Sequence, residues 1–117
     1  MVDVKEIIKN DKVLYAIAMT RGDTFRTVIG VTDVNGDPYV PKEGDTIRFA
    51  CKKNYNDPEC LIYKDIPYDT CILQLDPEDT KPMNQPDTYV FDIQITTANG
   101  DVHTFIKGKL KITEEVD

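Results

Sequence analysis

His103 is the only imidazole in the chain and serine is absent, so no Ser-His-Asp arrangement can be assembled from these residues. A Cys-His pair would need Cys51, Cys60 or Cys71 beside His103 in a cleft. His103 instead falls in a β-prone run two residues before Phe105, and a histidine on a strand surface is the simpler reading. The three cysteines are odd in number and lack CxxC spacing, which indicates neither a zinc site nor a paired disulfide framework. Cys51 and Cys60 would face one another if their strands pair, so a bridge stays open beside the plainer expectation of three reduced thiols. Carboxylates are abundant, among them Asp33, Asp37, Glu43, Asp57, Glu59, Asp76, Glu78 and Asp79. Nearly all stand in turns or beside Gly and Pro, where Asx-turns and solvation account for them. The run Asp33-Val34-Asn35-Gly36-Asp37-Pro38 has a superficial likeness to a calcium loop. Its glycine is fourth where an EF-hand loop needs it sixth, and no Glu follows at position twelve, so a turn is expected. No Gly-rich phosphate loop occurs. These residues lead us to expect a non-enzymatic protein with no catalytic residue, cofactor or metal site.

Tyr39, Tyr55, Tyr63 and Tyr68 are the side chains that could stack on sugar rings, and the chain has no Trp to join them. A carbohydrate-binding or adhesive module is therefore the second reading, since tyrosines at strand edges and loops ordinarily serve as amphipathic packing residues.

The elements that must carry these residues are β-strands. Tyr89, Phe91, Ile93 and Ile95 alternate with Val90, Asp92, Gln94 and Thr96, which places large apolar groups on one face. Ala98-Asn99-Gly100-Asp101 interrupts the run, and the Asn-Gly pair predicts a type I′ hairpin turn. Val102 to Lys107 returns, and Leu110 and Ile112 resume the alternation after Gly108. The same period predicts strands over Val13 to Met19, Thr24 to Thr32, Thr46 to Lys52, Leu61 to Ile66 and Cys71 to Leu75. Asp76-Pro77-Glu78-Asp79-Thr80 reads as a helical turn near 77–80, with Pro at the first helical position and acids facing the dipole. Asp3 and Glu6 have capping-box spacing and Val4, Ile7 and Ile8 form a short apolar stripe. A short helix, an arm over residues 1–10 or an extra edge strand would each fit. About seven or eight strands with regular turn signals describe an all-β, antiparallel sandwich.

The length of 117 residues supports one domain, 1–117, and a single core. The net charge of −7, with only Arg21, Arg26 and Arg48 scattered along the chain, argues against a nucleic-acid partner. No apolar run reaches the roughly 20 residues of a membrane span, so no membrane partner is expected. The acidic start Met1-Val2-Asp3 lacks the features of a signal peptide, so synthesis in the cytoplasm is expected.

Several motifs occur in a fixed order over roughly nine-tenths of the chain. They are Arg21-Gly22-Asp23-Thr24-Phe25, Val31-Thr32-Asp33, Asn35-Gly36-Asp37-Pro38, Gly44-Asp45-Thr46-Ile47-Arg48-Phe49 with Lys52-Lys53, and Leu75-Asp76-Pro77-Glu78-Asp79-Thr80. Tyr89-Val90-Phe91-Asp92-Ile93, Asn99-Gly100 and Gly108-Lys109-Leu110 complete the series. The ordered set resembles small β-sandwich structural proteins of tailed bacteriophages and prophages, including the N-terminal domain of the siphophage upper baseplate protein. The resemblance implies an immunoglobulin-like sandwich in a baseplate or tail assembly, made in the host cytoplasm and carried in the virion. Its implied partners are other virion structural proteins, with self-association as one option, and it supplies no catalytic residues. Upper baseplate proteins continue into a linker and fibre, so a free-standing component and part of a longer protein both fit. Val4, Ile7 and Ile8 precede the first confident strand and are the expected partner-binding residues.

Overall fold

The computed structural model describes the backbone of residues 3–9 and 12–15 and all atoms of residues 16–33, 35–83 and 87–114. Among these residues the strands are β1 (Asp3–Lys9), β2 (Lys12–Thr20), β3 (Phe25–Val28), β4 (Thr46–Lys52), β5 (Ile62–Ile66), β6 (Ile72–Leu75), β7 (Asp87–Thr96) and β8 (Val102–Thr113). One helical turn, α1 (Pro77–Thr80), stands between β6 and β7. The described strands make a six-stranded sheet in the order β1-β2-β8-β7-β4-β5 and a two-stranded sheet of β3 and β6. The chain is all-β apart from α1.

The period-two pattern sets the inner face. Tyr89, Phe91, Ile93 and Ile95 of β7 are buried beside Ile47, Phe49 and Cys51 of β4, and Leu110 and Ile112 of β8 continue the layer. Phe25, Leu73 and Leu75 from the small sheet join them in one core. Phe49 and Phe91 stand at its middle with ring centroids 5.2 Å apart. One residue breaks the β7–β8 register. Ile93 pairs with Ile106 and Gln94 with Thr104, so Phe105 is an extra residue, a bulge that keeps His103 and Ile106 on the inner side.

Three expectations are corrected and one open alternative is resolved. First, the sheet is mixed and not wholly antiparallel, because β2 runs parallel to β8 with Ile17 beside Leu110. Side-chain alternation reports which face is buried and carries no information on strand direction. Second, of the alternatives open for residues 3–9 the extra edge strand forms, in place of the helix or the arm; the segment pairs antiparallel with β2, Val4 opposite Ile17, Ile7 opposite Leu14 and Ile8 opposite Val13. A helix this short nucleates poorly, and β-branched Val4, Ile7 and Ile8 suit a ladder. Asn10 and Asp11, expected as the turn, lie outside the described residues. Third, the β7–β8 connection is not a type I′ turn. Thr97 N donates to Asp101 O at 2.8 Å around a three-residue loop, and within that loop only Gly100 has positive φ, at 95°. That is the longer hairpin loop, a tight turn followed by one left-handed glycine.

Fourth, the strand expected to run to Thr32 ends at Val28. Ile29 N donates instead to Cys71 O, and Val31 O accepts from Tyr39 N, so the chain folds back on itself before β4. The helical turn forms as expected: Asp76 N donates to Asp79 Oδ2 at 2.7 Å, and Lys64 reaches Asp79 at 2.9 Å and Asp76 at 3.1 Å. No helix among the described residues is long and apolar enough to cross a membrane.

Phe49 is fully buried, so truncation leaves a cavity that neighbouring strands cannot fill. Phe49→Ala is expected to cost about 3–5 kcal/mol, read as a lower midpoint in urea denaturation.

Candidate functional site

A groove of about 460 Å³ lies at one end of the strands. One wall is the long segment between β3 and β4, contributing Thr32, Asp33, Tyr39 and Lys42. The other is the β7–β8 turn, contributing Thr97, Asn99, Asp101 and His103, with Ile95 and Ala98 between them.

Each wall is tipped by the same device. In Asp33 to Asp37, Asp33 N donates to Asp37 O, Gly36 N donates to Asp33 O, and Asp37 N donates to Asp33 Oδ1. In Thr97 to Asp101, Thr97 N donates to Asp101 O, Gly100 N to Thr97 O, and Asp101 N to Thr97 Oγ1. The calcium-like run is thus a turn held by its own aspartate.

Asp45 joins the walls. It is 5% exposed, and its carboxylate accepts the Tyr39 hydroxyl at 2.6 Å, the Lys42 amide at 3.1 Å and the Ala98 amide at 3.0 Å. The Tyr39 bond is the largest influence holding the Asp45 carboxyl below the usual carboxylate range; burial works against it, and the two amides reinforce it. The same bond raises the Tyr39 phenol, whose proton is shared with an anion. Gly44, at φ 97°, lets the segment lie against the turn: a Cβ there would stand 2.9 Å from Ala98 Cβ.

A second, shallower hollow of about 280 Å³ lies on the outer face of the large sheet, among Arg48, Ala50, Lys52, Tyr55, Tyr63 and Val90. Beside it the β5 margin leaves Tyr55 at 60%, Leu61 at 53% and Tyr63 at 60% exposure, a cluster of large groups in water.

The structure separates most residues singled out from the sequence. Tyr39 lines the groove with its hydroxyl committed to Asp45, Tyr55 and Tyr63 flank the second hollow, and Tyr68 is in a turn beyond β5, so the tyrosines form no common platform. His103 enters the groove from β8, and no cysteine lines that groove. Cys51 is buried, Cys60 exposed and Cys71 half-buried, all three as free thiols. Burial is the main cause that pushes the Cys51 thiol up to about 12, with Cys60 adding to it. Val4, Ile7 and Ile8 fall on β1 at one margin of the sheet; their side chains lie outside the described residues. Among the described residues no group of three or more His, Cys, Asp or Glu is placed to hold a metal ion. The sequence reading missed Asp45, although its Gly44-Asp45-Thr46 strand-entry pattern was the available signal.

No known family model matches the chain, and a search of curated proteins finds no match.

Because the Asp45 carboxyl is more acidic folded than unfolded, its stabilisation is complete above the unfolded value of about 3.9 and is lost as pH falls through the folded one. Asp45→Asn is expected to cost about 2 kcal/mol near neutrality, since one carboxylate oxygen becomes a donor facing an amide. The gap to the native protein should close below about pH 4 in urea titrations. Gly44→Ala is expected to cost roughly 1–2 kcal/mol through positive φ and the contact with Ala98, measured as a lower melting temperature.

Proposed function

We propose that this chain is a non-enzymatic structural component of a tailed-phage or prophage particle, in the baseplate or tail, that works by protein–protein assembly. The observation that carries the reading is the open β5 margin. Its unpaired backbone edge, flanked by exposed Tyr55, Leu61 and Tyr63, has the composition of a docking surface, and an edge strand is a template for a neighbour's strand. β1 offers the opposite margin, where Val4, Ile7 and Ile8 are the proposed partner-binding residues.

The finer fold reading belongs to the same proposal. Strands β4, β7 and β8 occur in the order that immunoglobulin-like sheets give to their C, F and G strands. β5 is added beside β4 as in variable-type domains, and β3 with β6 matches the B–E pair of the other sheet. That order, together with the ordered motif series resembling phage sandwich proteins, supports an immunoglobulin-like sandwich used as a building block.

Mass spectrometry of particles induced from the strain carrying the gene is expected to find the chain in the particle fraction. Leu61→Glu with Tyr63→Glu, and separately removal of residues 1–9, should leave a cooperative melt and abolish incorporation. A chain found only in the soluble fraction, or double-variant particles with full content, would refute the reading.

A further inference from the structure

The alternation that builds the core also sorts charge. On the outer face of the six-stranded sheet the described residues include Arg48, Lys52, Lys107, Lys109 and Lys111 against Asp65 and Asp92. Five cations face two carboxylates, a surplus of three positive charges on a chain whose total is −7. Arg48 already pairs with Asp92. Lys107, Lys109 and Lys111 are exposed and have no ion-pair partner among the described residues. They point the same way every second residue along β8, a row about 13 Å long. Ala16 and Ala18 on β2 and Val90 and Thr88 on β7 flank Lys109 and Lys111, while Asp92, already paired with Arg48, stands opposite Lys107.

The groove end carries the opposite sign. Residues 32–45 and 97–101 hold Asp33, Asp37, Glu43, Asp45 and Asp101 against the single cation Lys42. Asp33 and Asp45 are used internally, whereas Asp37, Glu43 and Asp101 are exposed. The row and the groove end lie at different places on the strands: Thr96 abuts the groove turn, while Lys111 pairs with Thr88 at the far end of β7.

We propose that the Lys107–Lys109–Lys111 row binds the acidic groove end of a second copy of this chain. The charges that fit are both on this molecule, three ammonium groups without an ion-pair partner among the described residues and three exposed carboxylates. A nucleic acid is the competing anion, but it would meet a body whose net charge is −7 even with that row counted. The contact is between two different patches, so each bound pair leaves one of each patch free, and the association is head-to-face and can add further copies. Such a contact is weak alone and sensitive to salt, since the charges stand in water. It rests on charge placement alone and holds whether or not the chain is a virion component.

Sedimentation velocity over rising protein concentration tests it. At about 20 mM NaCl the weight-average mass should climb to at least about twice that of the monomer, and at about 500 mM it should fall back to the monomer. Lys107→Glu, Lys109→Glu and Lys111→Glu together should give monomer at both salts, as should Asp37→Lys, Glu43→Lys and Asp101→Lys together. Reversal of Glu59, Asp69 and Glu78, equally exposed acids elsewhere, should leave the association intact. Each variant should keep the native near-UV circular dichroism. A native chain that stays monomeric at low salt, or a control triple that dissociates the copies as fully as the groove triple, overturns the proposal. So does anisotropy showing the lysine row binding a labelled oligo-dT under conditions where the copies do not associate.

Discussion

A buried carboxylate fixes the shape of the groove. Taking an ionised Asp out of water is costly unless its oxygens are bonded, and Asp45 meets that condition with donors from Tyr39, Lys42 and Ala98. Two of the donors come from the segment between β3 and β4, which forms no strand of its own, and the third comes from the β7–β8 turn. The segment is therefore held against the hairpin by one side chain and by the close approach that Gly44 permits. The groove exists because that carboxylate is satisfied only when the two walls are in place.

Much of the framework was legible before any coordinates. Tyr89 to Ile95, Ile47 to Cys51 and Leu73 with Leu75 alternate with no competing period, and all of their inward residues are buried. Asp76-Pro77 announced the helical turn because capping and a fixed φ are local properties. What could not be read is non-local. The parallel pairing of β2 with β8 joins segments that nothing in their own composition relates. Residues 3–9 carry an apolar spacing compatible with a helical stripe, and only a waiting β2 decides for the strand. Asp45 stood unremarked in its Gly44-Asp45-Thr46 run because a sequence shows which residues can accept hydrogen bonds and not how many donors will converge on them. The Asn-Gly pairs marked both turns correctly, yet the turn type followed from loop length, which the flanking residues alone leave open.

Charge follows the same logic as burial. A strand that gives every second position to the core leaves the others free in type, and in β8 those positions are Lys107, Lys109 and Lys111. Turns recruit Asp for its short acceptor side chain, so carboxylates collect where the chain reverses. The division into a basic sheet face and acidic loop end thus arises from two unrelated local rules, and the fold arranges their products in space. Arg48 of β4 with Asp92 of β7, and Lys64 of β5 with Asp76 and Asp79 at α1, pair opposite charges across neighbouring elements.

The side-by-side run of β2 and β8 has a bearing on biosynthesis. Thr20 and Thr113 touch hydroxyl to hydroxyl although 93 positions separate them. On the ribosome the β1–β2 hairpin emerges before β8, and its place in the large sheet is not built until β8 has left the exit tunnel. For that interval β1 and β2 form a two-stranded ribbon with an open flank, the kind of species that chaperones hold and that mispairs when nascent chains crowd together. The slow closure expected of distant strand contacts would then set the pace of maturation, and β2 would wait for β8 to find its neighbour.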